Sequence, residues 1–230
     1  MKNNFLLLIL VITCPVLAQE SGNPQKKQRG SEIYYGVGVD NNKYTDVNRF
    51  LRDYNFPANF NSYDINFAFG LSITMAKTKF EMYANFSSQS DQADSKKFKL
   101  NNQSLQYLYH IKFINKDRDH ASLYSGIGAT ICNIQIDSIY KPIRFGTFNS
   151  INADKVFFDI PIGMQLTHYF PNKKATKPYA FKYMIGLKAA YHVTIYQDDW
   201  DIGLNARNSL NYRFKQPDYF ELILIFGFYR

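Results

Sequence analysis

The feature that most constrains this chain is an alternation of apolar and polar residues, which recurs eight times along the sequence. It is nearly strict over residues 63–73 (YDINFAFGLSI) and cleanest over residues 179–193. A period of two is typical of a β-strand with one apolar face. A strand of about 9–11 residues is also long enough to cross a bilayer. We therefore predict an all-β chain built from strands of membrane-crossing length.

The connections between the predicted strands alternate in length. The long ones cover residues 41–60, 88–101, 135–155 and 197–218, and a short connection lies between each pair of them. Outer-membrane β-barrels join their strands by short turns at one end and by longer loops at the other. The pattern predicts an eight-stranded antiparallel up-and-down transmembrane β-barrel whose long loops face the exterior, although ten strands stay open as an alternative.

The two faces of the predicted strands differ in chemistry. The apolar faces are rich in Phe and Tyr, which number 20 and 18 in the chain. In a barrel such faces contact lipid, and the expected lipid-facing set is Phe67, Phe69, Ile160, Ile162, Leu187 and Leu224. The opposite faces carry glycines and charges of both signs.

The charged faces predict a filled interior. Eight strands enclose a space just wide enough for side chains, and a buried charge without a partner is costly. We therefore expect the lumen to hold a charge network, with Tyr83 and Gln165 supplying further hydrogen bonds. Its expected members are Asp64, Lys79, Glu81, Lys112, Asp159, Lys182, Lys188 and Glu221.

The first residues predict export. Lys2 precedes an apolar run over residues 5–13 (FLLLILVIT), and the following VLA has the small-residue pattern of a cleavage site. This run is about half of the roughly 20 apolar residues that a spanning helix needs. We predict a signal peptide over 1–18, a flexible lead-in over 19–31 and a barrel domain over 32–230. Cys14 leaves a lipoprotein as a minor alternative; otherwise the mature chain keeps only Cys132.

Charge and hydropathy limit the class of partner. The mean hydropathy of −0.33 excludes a helical membrane protein. A formal charge of +8 would suggest nucleic acid for a cytoplasmic protein. Because this chain is predicted to be exported, we expect outer-membrane lipid and the phosphates of lipopolysaccharide instead, and no nucleic acid.

The export signal, the alternating strands and the closing segment at residues 220–228 (FELILIFGF) are similar to those of the outer-membrane β-barrel "porin family" proteins common in Bacteroidota. In plan the chain resembles the small barrels of the OmpA/OmpX type. The resemblance implies an eight-stranded barrel in the cell outer membrane. It implies no particular activity, because that family has no single one.

The first long connection contains a predicted amphipathic helix. Its apolar residues Val47, Phe50, Leu51 and Tyr54 fall at i, i+3, i+4 and i+7, while Thr45 is a suitable cap and Pro57 a stop. Such a helix is either a docking surface or lid, or a packed element that shields the strand ends. We favour the second interpretation.

Candidate catalytic and metal-binding residues are few. His192 lies on a polar strand face shortly before Asp198, Asp199 and Asp201, and it is the weak candidate for general acid–base chemistry. The three aspartates are weak candidates for calcium, a cation that prefers oxygen ligands. They lack the spacing of an EF-hand loop, so a solvated loop is the preferred interpretation. We expect no cofactor and no metal.

Three classes of function remain open from the sequence. The leading one is an integral outer-membrane barrel with a structural or interaction role, whose partner would be a protein at the outer loops. The second is a barrel enzyme that modifies envelope lipid. The third is a soluble periplasmic barrel that binds a ligand, which an apolar lumen would favour.

Overall fold

The computed structural model describes residues 30–41, 45–53, 56–57, 59–93, 96–116, 118–138, 150–170, 182–198, 201–202 and 218–230. The predicted signal peptide and most of the predicted lead-in lie outside these residues. The elements are β1 (Gly30–Asn41), α1 (Thr45–Asp53), β2 (Tyr63–Thr74), β3 (Thr78–Ala93), β4 (Lys96–Asn115), β5 (Asp119–Ser138), β6 (Ser150–Tyr169), β7 (Lys182–Gln197), β8 (Asp201–Ile202) and β9 (Tyr219–Tyr229).

The eight long strands close into an antiparallel barrel. Each strand from β1 to β6 pairs with the next, β7 pairs with β9, and β9 pairs with β1 to complete the ring. The two-residue β8 adds a short edge to β6. The predicted eight-stranded up-and-down barrel, with one short helix after the first strand, is therefore confirmed. Among the described residues, no helix is long and apolar enough to cross a membrane.

Burial follows the predicted alternation along the strands. On β9, for example, odd-numbered residues from 219 to 227 are buried inside the barrel and even-numbered ones are exposed on its outer surface. Pro161 lies within β6. β6 continues through it, but the β5–β6 pairing is interrupted beside it and a bulge lies between Phe158 and Asp159. Both irregularities are consistent with a residue that has no N–H to donate.

The barrel has two distinct ends. At the terminal end, β1 begins at Gly30, and Ser31 and Arg230 exchange backbone hydrogen bonds of 2.9 Å. Gly30 and Ser31, the last two residues of the predicted lead-in, are therefore part of β1. The short turns after β2 and β4 lie at the same end, where Met75 N donates to Thr78 O. The opposite end, which carries α1, is called the α1 end below.

One predicted long loop was wrong, and a second, at 135–155, is shorter than predicted. Residues 88–101 were expected to be a connection, but β3 and β4 continue as a paired hairpin to Ala93 and Lys96. β5 and β6 continue beside them to Ser138 and Ser150. The four strands therefore form an extension that rises beyond the ends of β1, β2 and β9. The prediction followed the apolar outer face of the strands. This face ends before the extension begins, whereas the backbone pairing continues through the extension.

Candidate functional site

The lumen nearer the terminal end is packed with buried polar side chains. Four of them, Glu32, Lys79, Glu81 and Lys188, come from β1, β3 and β7 and are at most 3% exposed. We call these four residues the charge cluster. The strands place them together because each lies at an inward position of the alternation.

The charge cluster is closely paired. Lys79 Nζ lies 3.1 Å from Glu32 Oε2 and 2.9 Å from Glu81 Oε2, and Lys188 forms an ion pair with Glu81. The ammonium of Lys188 also lies 3.7 Å from the ring centre of Tyr83. Two positive and two negative charges therefore balance inside the barrel, which offsets part of the large cost of removing them from water.

Neutral groups add hydrogen bonds to the two glutamates. Tyr34 donates to Glu81 at 2.7 Å, and Tyr169 donates to Glu32 at 2.5 Å. His110 Nε2 lies 3.2 Å from Glu81. Gly70 is needed opposite Tyr34, because a Cβ at this position would collide with the tyrosine ring. The cluster is thus a fully enclosed network that ties opposite walls of the barrel together.

Not every predicted lumen charge belongs to this cluster. Lys112 is half-buried and donates to the carbonyl of Met75 at the terminal end. Lys182 was expected in the lumen but is exposed, because it is the first residue of β7 and lies at the rim. Glu32 was not predicted as a lumen residue. It is even-numbered, like the other inward residues of β1, so the alternation could have identified it. Gln165, as expected, accepts a hydrogen bond of 2.8 Å from Lys79.

The remaining predicted charges lie nearer the α1 end and are all acidic. Asp64, Asp159 and Glu221 are at most 1% exposed, and Asp40, which was not predicted for the network, joins them at 5%. Asp40 is the cross-strand partner of both Asp64 and Glu221. The lumen is therefore divided into a balanced charge cluster and a carboxylate-rich layer.

His192, the candidate acid–base residue, lies in this second layer. Its Nδ1 is 2.5 Å from Asp159 Oδ2, and its ring stacks on Tyr219 at a centroid distance of 4.2 Å. Tyr219 donates to the same carboxylate at 2.9 Å. His192 is 0% exposed, so the pair has the bonding of a catalytic dyad without access for a substrate.

The α1 end of the interior is apolar. Val47 and Leu51 of α1, followed by Phe56 and Phe60, pack against inward residues of the strand extension. We call this group the apolar plug; its strand members are Phe98, Leu100, Cys132, Ile134, Ile136, Ala153, Phe157 and Tyr219. Asn48 holds the segment after α1 by exchanging two hydrogen bonds with Phe60. The predicted helix is thus packed over the strand ends; the side chain of Phe50 and all of Tyr54 lie outside the described residues.

The candidate calcium ligands are not brought together by the described part of the chain. Asp198 accepts a hydrogen bond of 2.5 Å from Tyr196 and is exposed. Asp201 is described only as backbone in β8, and Asp199 lies outside the described residues. Within the described ranges, no group of three or more His, Cys, Asp or Glu is arranged to hold a metal ion.

The outer surface of the barrel carries an apolar belt. All six predicted lipid-facing residues lie on it, from Phe67 at 61% exposure to the partly exposed Phe69 and Ile160. Aromatic side chains are exposed near both edges of the belt: Tyr63, Tyr196 and Phe220 towards the α1 end, and Phe113, Phe170 and Tyr183 towards the terminal end. An apolar band flanked by aromatic girdles is the surface of a transmembrane β-barrel.

Comparison with solved structures supports this architecture. The attachment invasion locus protein Ail of Yersinia pestis aligns with a TM-score of 0.51 and 10% identity, over 87% of this chain and 98% of Ail. Ail in complex with the heparin analogue sucrose octasulfate aligns with a TM-score of 0.54 and 11% identity, over 88% and 99% of the two chains. No protein-family model and no curated protein matches the sequence.

The similarity to Ail concerns the fold, because the sequences are so different. Together with the chain's own apolar belt and its polar, filled lumen, it makes this protein a small outer-membrane β-barrel.

Proposed function

We propose that this protein is an integral barrel of the outer membrane whose α1 end projects outward as an interaction surface. The observation that carries the proposal is the reversal of the two faces in the strand extension. There the outer face is polar, with Lys97, Lys99, Asn133 and Gln135, and the inner face is the apolar plug. A wall of this kind is suited to water, so it stands clear of the bilayer and is available to partners.

The orientation is tested by cysteine labelling on intact cells. Lys97→Cys places a thiol on the extension and Lys77→Cys places one in a short turn at the terminal end; both positions are exposed, and Cys132 is buried. A membrane-impermeant maleimide should label Lys97→Cys on intact cells and Lys77→Cys only after permeabilisation. The reverse result would show that the extension faces the periplasm.

The filled lumen also argues against a transport role. The charge cluster and the apolar plug close the barrel in series, and wide channels need roughly 16 strands or more. Purified protein in planar bilayers should therefore give no stable conductance. Large and reproducible ohmic steps would contradict a closed barrel and favour a pore.

A specific class of partner is suggested by three lysines at the start of β4. Lys97 and Lys99 are exposed, and Lys96 lies partly exposed with its ammonium 4.9 Å from the ring centre of Phe56. Ail binds a sulfated sugar in its complex, and lipopolysaccharide offers phosphates of similar chemistry. We propose that this row of lysines contacts anionic glycans of this kind.

The lysine row is tested by calorimetry with sucrose octasulfate and, separately, with lipopolysaccharide. The double variant Lys97→Gln/Lys99→Gln should weaken binding about tenfold, or about 1.4 kcal/mol, and salt should reduce the difference. Lys77→Gln is the matched control at the other end of the barrel. Equal affinities for the double variant and the control would refute the assignment, and the two titrations separate the two sources of anion.

A further inference from the structure

The terminal end carries exposed basic side chains that the proposed interaction surface does not include. They are Lys77, Lys116, Arg118 and Lys182, which we call the basic rim. Lys77 lies in the turn between β2 and β3, Lys116 and Arg118 lie in the turn between β4 and β5, and Lys182 begins β7. The rim is therefore spread around the barrel end and is not confined to one wall.

Acidic side chains are scarce at this end. Among the described residues there, Asp119 is the one exposed acid, and His168 Nδ1 lies 2.8 Å from its carboxylate. Glu32 is buried and pairs with Lys79 inside the charge cluster. Asp117 lies outside the described residues, but even with it the basic side chains outnumber the acidic ones in these turns and strand ends. The terminal end therefore presents an excess of positive charge.

The α1 end differs, because exposed charges of both signs occur there. Lys97 lies directly opposite Asp137 in the register of β4 and β5. Asp154, Asp198 and Asp218 are exposed at the same end. Charges of mixed sign largely cancel at a distance, whereas a group of one sign produces a field that attracts ions of the opposite sign. The basic rim is a group of the second kind.

The basic rim lies at the depth of lipid headgroups. Tyr183, the neighbour of Lys182, is 63% exposed and belongs to the aromatic girdle at the edge of the apolar belt. Phe113 of the same girdle lies three residues before Lys116, which is roughly 10 Å along a strand. The headgroup layer is roughly 5–8 Å thick, and long basic side chains direct their charged ends towards it. The rim is therefore within reach of phosphate groups at the membrane surface.

We propose that the basic rim binds acidic phospholipids such as phosphatidylglycerol in the leaflet at the terminal end. Lysine and arginine near a membrane surface are attracted to anionic headgroups, and the net-neutral headgroup of phosphatidylcholine offers no such attraction. The choice of phospholipid over lipopolysaccharide rests on the proposed orientation, because lipopolysaccharide occupies the outer leaflet of an outer membrane.

The full-length protein, folded into phosphatidylcholine vesicles, tests the basic rim. Traces of spin-labelled phosphatidylglycerol or spin-labelled phosphatidylcholine report, by electron paramagnetic resonance, which lipid is immobilised at the barrel surface. Wild type should favour phosphatidylglycerol about two- to threefold at low salt, and added salt should weaken this preference. Lys77→Gln/Lys116→Gln/Lys182→Gln should lose most of the preference. Lys77→Arg/Lys116→Arg/Lys182→Arg should retain it, because this variant keeps the charges.

Arg52→Gln/Lys97→Gln/Lys99→Gln is the matched control, since it removes three exposed positive charges from the α1 end. Lys99 lies six residues beyond Leu105, the last exposed apolar residue on the outer face of β4, which is roughly 20 Å along the strand. The control should therefore keep the wild-type preference for phosphatidylglycerol.

The proposal is overturned if wild type shows no preference, if the Gln variant of the rim keeps the wild-type preference, or if the control loses as much of it as the rim variant. Both leaflets of these vesicles have the same composition, so the result does not depend on which end of the barrel faces the periplasm. A failure here is therefore distinct from a failure of the proposed orientation, which the cysteine labelling measures.

Discussion

The charge cluster and the apolar plug lie in the same barrel, yet their chemistry is opposite. Around the charge cluster the inside of the barrel is polar and the outside is apolar. Around the apolar plug the inside is apolar and the outside is polar. The strand geometry is the same in both regions, so the difference reflects the surrounding solvent. On our proposal, the first region has lipid outside and the second has water.

β4 shows the change within one strand. Near its start, Phe98 and Leu100 are buried inside while Lys97 and Lys99 are exposed outside. Further along, His110 is buried inside, while Tyr107 and Ile111 are exposed outside at 58% and 59%. β5 and β6 change in the same way, because Ile134 and Ala153 are inside at one end and Ser122 and Gln165 at the other. The reversal therefore marks a boundary around the barrel.

The largest expected effect comes from breaking the charge cluster. Glu81→Ala removes the partner that Lys188, Lys79 and His110 share. Removing one member of a buried ion pair costs about 3–5 kcal/mol, because the remaining charges stay buried. Urea unfolding in detergent micelles measures the loss. Asp119→Ala removes an exposed carboxylate paired with His168 and should cost less than about 1 kcal/mol; similar losses for both variants would contradict the role of the cluster.

An intermediate effect is expected where the outer surface contacts lipid. Leu187→Arg puts a charge in the middle of the apolar belt, which costs about 2–4 kcal/mol at the bilayer midplane. Gln92→Arg puts the same side chain on the outer face of the strand extension, where Gln92 is already exposed. The second variant should fold into lipid vesicles as well as wild type. Equal folding yields for the two variants would show that the belt and the strand extension do not differ in their contact with lipid.

The smallest effect on the barrel as a whole is expected in the apolar plug. Leu51→Ala should lower the free energy of opening α1 by about 2–5 kcal/mol, because Leu51 is fully buried. Global unfolding should change little, since α1 can open locally while the sheet stays closed. Hydrogen exchange at residues 47–53 should increase in this variant and remain unchanged in Arg52→Ala, whose side chain is exposed. A fall in global stability as large as that of Glu81→Ala would show that the two regions are not separable.

Much of the fold could be predicted because a transmembrane strand repeats one simple pattern. The eight strands, their inward and outward faces and the helix at Thr45–Asp53 follow from periodicity alone. The strand extension could not be found in the same way. Its apolar residues lie on the inner face, so a search for a continuous apolar outer face ends at the boundary. Looking for a reversal of the pattern would have located both the extension and the plug.

The site was predicted less completely than the fold. The alternation of inward and outward positions along each strand correctly separated buried lumen residues such as Lys188 and Glu221 from the residues of the apolar belt. The alternation did not show that Lys188 is buried in the lumen whereas Lys182 is exposed at the rim. The position of a residue along the barrel axis depends on how the neighbouring strands are staggered. The alternation also did not reveal that Asp40 and Glu221 are neighbours, since their contact depends on the closure of β1 on β9. Register between the first and last strands is not encoded in either segment alone.

The most direct test of the boundary is a depth profile along the outer face of β4. Spin labels at Lys99, Asn101, Gln103, Leu105 and Tyr107, introduced one at a time in a Cys132→Ser background in lipid vesicles, report collisions with oxygen and with a water-soluble nickel chelate. Oxygen, which concentrates in lipid, should dominate at Leu105 and Tyr107, and the nickel chelate should dominate at Lys99 and Asn101, with the change near Gln103. A profile that is uniform along all five positions would contradict the account.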